Sequence, residues 1–162
     1  MRMEALELRA GRMLLERGMT VSCAESCTGG LLTSRLTDVP GSSAYVQGAM
    51  VVYSCELKER LVHVRHETLQ QKGAVSAETA QEMAEGVRDV LGTDIGIGVT
   101  GLAGPDGDGS GRPVGLVYIS VSGKNGTIVE ECRFCGSREE IKQRSAERAI
   151  RMLVEYLGGC LL

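Results

Sequence analysis

The chain has 162 residues, 43% of them hydrophobic, and a formal charge of −3 from 18 basic and 21 acidic side chains. That apolar content suits one substantial core, no Pro- or Ser-rich stretch divides it, and a single domain over residues 1–162 is expected. Basic residues scattered without a patch argue against nucleic-acid binding, and no apolar run is long enough to span a bilayer.

Residues 1–17 interleave Met3, Leu6, Leu8, Met13, Leu14 and Leu15 with Glu4, Glu7, Arg9, Arg12 and Glu16. This is the pattern of an amphipathic helix; the uninterrupted apolar stretch of a signal peptide is missing, and a cytoplasmic location is expected. Gly18 closes the helix, and 19–25 reads as a strand buried at least partly on both faces. Beyond the next bend Thr28 has the character of an N-cap, and Leu31, Leu32, Arg35 and Leu36 continue as a short helix ended by Asp38, Pro40 and Gly41. Residues 44–54, with Tyr45, Val46, Val51, Val52 and Tyr53, form a second strand in which Gly48 is a candidate bulge. A short helix follows over 55–62, and 67–71 add another helical turn. Ser76 caps the next helix, along which Ala80, Met83, Ala84, Val87, Val90 and Leu91 recur at helical spacing up to Gly92. A short strand over 94–100 runs into a Gly-rich loop, 101–111. Strands over 115–122 and 127–134 flank the hairpin turn Gly123-Lys124-Asn125-Gly126, and a last helix covers 137–157. Early alternation with a late hairpin predicts a three-layer α/β/α fold around a mixed central sheet of about five strands.

Six cysteines include one Cys-x-x-Cys, Cys132 to Cys135, with no second half-site for zinc, so free thiols in a reducing compartment are the simpler reading. His63 and His66 are the only histidines, which leaves a Ser-His-Asp triad little to draw on. Twenty-two glycines beside one Phe, four Tyr and no Trp point to tight loops approaching a small polar ligand through backbone. The chemistry concentrates at Ala24-Glu25-Ser26-Cys27-Thr28-Gly29-Gly30, a strand-to-helix bend where Ser26 can meet backbone donors near Gly29 and Gly30, or where Ser26 and Thr28 simply cap a helix. Lys58, just past a strand end, suits a general base if burial lowers its pKa; the alternative pairs it with Glu56 or Glu59 on a solvated helix. Tyr53 stands near enough in sequence to bond either group. The 101–111 loop matches neither the P-loop nor GxGxxG, yet its bare N–H groups can cradle a phosphate. Asp106, Asp108 and Glu25 fit no calcium-loop spacing, and no metal is expected.

These segments fall in a familiar order: Ala24 to Gly30, then Pro40-Gly41-Ser42-Ser43, Val52-Tyr53-Ser54 with Lys58, Gly73-Ala74-Val75-Ser76, Thr100-Gly101-Leu102-Ala103-Gly104-Pro105-Asp106-Gly107 and Pro113-Val114-Gly115. The chain resembles the C-terminal domain of the competence/damage-inducible protein CinA, a domain also found alone as bacterial nicotinamide mononucleotide deamidase. The resemblance implies hydrolysis of the carboxamide of nicotinamide mononucleotide to nicotinate mononucleotide and ammonia, without metal or cofactor, by a Ser/Lys dyad. By motif, Ser26 is the nucleophile, Lys58 the base, and Tyr53 and Ser43 hold supporting positions; Ser42 and Ser43 remain rival nucleophiles. Gly29 and Gly30 fall beside the oxyanion, and Thr28, Thr100, Gly101 and Gly104 beside the substrate. Glu25 would attract the cationic pyridinium, and the 101–107 loop or Arg144 would receive the phosphate. The implied partner is a small-molecule nucleotide, with neither nucleic acid nor membrane and with a homo-oligomer compatible. Cys55 stands where family members often carry asparagine, residues 108–112 depart from the pattern, and the N-terminal nucleotide-processing domain of full-length CinA proteins is not expected. The competing readings are a non-catalytic nucleotide-binding or assembly module, and a hydrolase of another small amide that keeps the dyad.

Overall fold

Five strands make one mixed sheet in the computed structural model, which describes residues 4–160. They are β1 (Val21–Glu25), β2 (Val46–Val51), β3 (Ile95–Gly101), β4 (Leu116–Gly123) and β5 (Gly126–Arg133), in the spatial order β2-β1-β3-β4-β5. β2, β1 and β3 run parallel, and β4 and β5 add an antiparallel hairpin. The helices are α1 (Leu6–Arg17), α2 (Leu31–Thr37), α3 (Cys55–Val62), α4 (His66–Lys72), α5 (Ala77–Leu91) and α6 (Arg138–Leu157), giving the expected α/β/α fold. Of the first expected helix, Met1 to Met3 lie outside the described residues, and Glu4 and Ala5 precede its first turn.

Several local expectations hold for the reasons that prompted them. Gly18 and Gly92 close α1 and α5 in the left-handed conformation, and Ser76 accepts from the Thr79 N–H at the start of α5. Ser137 and Glu140 form a capping box on α6. The β1–β2 register steps from Val21 opposite Val46 to Ser22 opposite Gly48, so the irregularity anticipated at Gly48 skips its neighbour Gln47. One cap differs: the residue before α2 is Gly30, at φ 101°, and the Thr28 hydroxyl is buried without a partner among the described residues. The strand-end carboxylate of Glu25 caps α2 instead.

The sheet's two faces carry different side chains because strand residues alternate. Val21, Cys23, Ile97, Val99, Val117, Ile119 and Val121 join a core with α1, α2 and α6, among them Leu14, Leu32, Ile150 and Leu153. The other face offers Ser22, Ala24, Gly96, Gly98, Ser120 and Ser122, all small. α5 settles close on that face: a Cβ on Gly96 would sit 2.0 Å from the Ala84 carbonyl oxygen, and one on Gly98 2.5 Å from that of Ala80. Polar contacts complete this layer, with Ser22 donating to the Val87 carbonyl and Arg88 to Ser122 Oγ and the Gly123 carbonyl. A smaller core of Val52, Val62, Val64, Met83 and Val87 joins α3 to α5 and fixes the start of α3 beside the sheet's C-terminal edge.

Candidate active site

β1 lies between β2 and β3, so the chain leaves its end toward one side while β3 ends on the other. Clefts of open α/β sheets form at such switch points, beyond the C-terminal ends of the parallel strands. A cavity of about 290 Å³ opens there. Ser26 and Cys27 line it from the end of β1, Tyr53 and Lys58 from the region after β2, Thr100 to Gly104 from the end of β3, and Arg138 from α6.

The Lys58 amine is the centre of this arrangement. Ser54 caps α3 by accepting from the Leu57 N–H, and Lys58 on the first turn points inward until only 1% of it is exposed. Its Nζ lies 2.8 Å from the Val52 carbonyl oxygen, 3.1 Å from that of Tyr53 and 3.1 Å from Ser26 Oγ. Burial lowers its pKa from the ordinary lysine range, a shift partly opposed by the thiols of Cys55 and Cys27. A neutral amine has two N–H donors and one lone pair. With both N–H groups on the two carbonyls, which can only accept, the lone pair is left for the Ser26 hydroxyl. Among the described residues no carboxylate competes: Glu56 pairs with Arg60 and Glu59 with His66. Lys58 therefore has none of the solvated ion pairs that its sequence neighbours allowed.

The other sequence-derived residues divide sharply. Thr100, buried, donates from Oγ1 to the Ala74 carbonyl at 2.6 Å, and Thr100, Gly101 and Gly104 all line the cavity. Tyr53 contributes its carbonyl to Lys58, while its exposed phenol accepts from Arg138 at 3.2 Å, so the ring bonds neither member of the Ser/Lys pair. Glu25 is fully buried and turned away from the cavity: its oxygens accept from the N–H groups of Gly30, Leu32 and Thr33 and from the Thr33 hydroxyl. The anticipated oxyanion donors are also engaged, Gly30 N–H with Glu25 and Gly29 N–H with the Ser26 carbonyl. Among the described residues, the turn's N–H groups without an acceptor are instead those of Cys27 and Thr28. Ser43 is exposed on the 3-10 turn that precedes β2, at the opposite end of the parallel strands from Ser26, and Ser42 shares that turn. Arg144 donates to the Cys135 carbonyl and lines a different depression with Phe134 and Arg148. Cys27 borders Ser26, but burial pushes its thiol up to about 12, which keeps it protonated and a poor nucleophile.

One residue that sequence reasoning passed over, and two that it weighed only as metal ligands, also face the cavity. Arg138 reaches from α6 to donate to the Gly104 carbonyl at 2.6 Å, and Asp106 and Asp108 stand on the loop wall. The sequence carries no signal that singles out Arg138: the Ser137 cap places it on the first turn of α6, and the docking of that helix turns it to the cavity. A larger depression of about 370 Å³ between α3 and α5 contains neither Ser26 nor Lys58, and its Glu82 and Glu78 are already paired with Arg65 and Lys72.

Fold and site together define the class: a three-layer α/β/α protein with a serine and a buried lysine paired in its switch-point cleft. The family model described as the CinA C-terminal domain matches residues 3–157, and the chain belongs to that family. A competence-damage relative from Desulforamulus reducens is 47% identical over 156 residues, covering 96% of this chain and 38% of its own length. A CinA-like protein of Geobacter sulfurreducens is 45% identical over 148 residues, 91% of this chain and 36% of that protein. The chain thus spans less than two fifths of these curated relatives. A solved CinA superfamily protein from Klebsiella pneumoniae superposes with a TM-score of 0.92 at 34% identity, covering 95% of this chain and 96% of that one. A competence/damage inducible protein from Agrobacterium tumefaciens gives 0.87 at 37% identity over 98% and 99% of the two chains.

Proposed function

We propose that the chain hydrolyses the carboxamide of nicotinamide mononucleotide to nicotinate mononucleotide and ammonia, with Ser26 as nucleophile and Lys58 as base. The observation that carries this reading is the 3.1 Å contact between Lys58 Nζ and Ser26 Oγ, made by a buried amine whose remaining contacts are both carbonyls. A pure binding module has no use for a base held in that way.

The proposed steps make use of that contact. Neutral Lys58 takes the hydroxyl proton as Ser26 Oγ bonds to the amide carbon, and the carbonyl π electrons move to the oxygen. The N–H groups of Cys27 and Thr28 are the donors for that oxyanion, in place of the glycine N–H groups already engaged. The oxyanion collapses, the C–N bond breaks, and ammonia leaves with the proton Lys58 returns to it. Lys58 then takes a proton from water, whose oxygen attacks the ester; as the second intermediate collapses the C–Oγ bond breaks, Lys58 returns that proton to Ser26 Oγ, and the acid released ionises to the carboxylate by losing its proton to solvent.

Ammonia release from nicotinamide mononucleotide, measured with EDTA present, tests the reading directly. Wild type and Ser43→Ala should be active, whereas Ser26→Ala and Lys58→Ala should lose at least about a hundredfold in kcat, at the scale of a lost acid–base group. Near wild-type kcat in Ser26→Ala would remove Ser26 as the nucleophile, and loss of wild-type activity in EDTA would remove the metal-free mechanism.

A further inference from the structure

We infer that the α6 wall of the cavity, Arg138 together with Lys142, is the subsite for a phosphate monoester on the substrate. This deepens the amidohydrolase reading and rests on it for Ser26 as the reacting group. Arg138 borders both the Ser26 cavity and an adjoining groove of about 430 Å³ that also contains Leu31, Glu139, Lys142 and Gln143. Residues four apart on a helix share a face, so Lys142 continues the Arg138 wall one turn further.

Both cations are uncommitted. Arg138 donates only to neutral oxygens, the Gly104 carbonyl and the Tyr53 hydroxyl, and among the described residues neither Arg138 nor Lys142 has an ion-pair partner. Nearby arginines differ: Arg35 is paired with Glu7, and Arg148 with Glu130 and Glu155. Lys142 Nζ comes within 3.9 Å of where a Cβ on Gly29 would stand, so the amine overhangs the turn that carries Ser26.

The facing wall excludes the alternative. Asp106 and Asp108 on the Gly-rich loop would repel a phosphate, and Arg144 points elsewhere. The cleft is therefore electrically polar, with Asp106 and Asp108 on the loop side and, on the α6 side, the two unpaired cations Arg138 and Lys142 against the single carboxylate of Glu139. A phosphate monoester, with close to two negative charges and three acceptor oxygens, matches the second side, where a guanidinium fork and a lysine can both donate. A ligand with a cationic ring and an anionic tail fits both sides at once.

The test compares nicotinamide mononucleotide with nicotinamide riboside, which lacks the phosphate, in wild type, Lys142→Ala, Lys142→Arg and Arg138→Ala, and adds calorimetric titration of ribose 5-phosphate. The ratio of kcat/KM for nucleotide over nucleoside should fall about ten- to a hundredfold in Lys142→Ala and Arg138→Ala, chiefly through KM, and stay close to wild type in Lys142→Arg. Ribose 5-phosphate should bind wild type and lose affinity in both alanine variants. An unchanged ratio, with both substrates impaired by the same factor, would make Arg138 and Lys142 structural and overturn the inference. If neither amide releases ammonia while ribose 5-phosphate binding still depends on Lys142, the amidohydrolase reading fails and the phosphate subsite stands. Ribose 5-phosphate binding that is absent in wild type, or indifferent to both substitutions, overturns the subsite.

Discussion

Glu25→Gln exchanges a buried carboxylate for an amide that can keep only part of its hydrogen bonding. The carboxylate accepts from Gly30 N–H at 3.2 Å, Leu32 N–H at 2.9 Å, Thr33 N–H at 3.0 Å and Thr33 Oγ1 at 2.6 Å. Glutamine offers one acceptor oxygen and an NH2 group that only donates. The less costly orientation turns that NH2 toward Thr33, whose hydroxyl can reverse and accept, and strands the Thr33 N–H against a second donor. One stranded donor and the lost ionic character of the surviving bonds amount to about 3 kcal/mol, since each such deficit costs about 1–3 kcal/mol. At about 2–4 °C per kcal/mol for a chain of this size, Tm should drop by roughly 6–12 °C. Thermal melts followed by far-UV circular dichroism suit the assay, because the chain has no Trp. An unchanged Tm combined with a raised KM for the nucleotide would refute the reasoning and return Glu25 to the role of a ligand for the cationic ring.

Gly96→Ala should lower stability by about 3 kcal/mol in chemical denaturation, because its Cβ would meet the Ala84 carbonyl oxygen at 2.0 Å and Arg88 Cβ at 2.7 Å and force α5 off the sheet. Gly107→Ala, whose Cβ finds nothing closer than 3.9 Å, should stay within about 0.5 kcal/mol of wild type. Brief alkylation of the native protein should label Cys55, Cys135 and Cys160, which are exposed, and spare Cys23, Cys27 and Cys132, which are buried; peptide mass spectrometry reads the pattern.

Much of the architecture was legible because periodicity and caps carry it. Ser76 and Gly92 bracket α5, Ser137 opens α6, and the order of helices and strands gave the three layers. The sequence motifs also pointed to Ser26 and Lys58, residues 32 apart that the fold joins at 3.1 Å. What stayed hidden depends on tertiary placement. Ser43 belongs to a segment in motif order, but that order does not say which end of a strand a residue occupies, and it falls at the end away from Ser26. Gly29 and Gly30 looked like open donors because they are bare, whereas their N–H groups are engaged by the Ser26 carbonyl and by Glu25. Arg138 and Arg144 are six residues apart on one helix, about 120° around its axis, so only the docking of α6 decides which reaches the cleft. Likewise a carboxylate at a strand end looks like chemistry until the following helix turns its N–H groups onto it.

The most direct measurement of the central claim, that Lys58 is a neutral base for Ser26, is the pH dependence of kcat for amide hydrolysis. Burial lowers the Lys58 pKa, so the reactive neutral amine grows in as pH rises through that depressed value rather than through the free-lysine value of about 10.4. The expected result is a kcat that climbs with pH through an apparent pKa below the free-lysine value of about 10.4, with that limb absent from the residual rate of Lys58→Met. A limb at about 10.4, or one that survives unchanged in Lys58→Met, would contradict it.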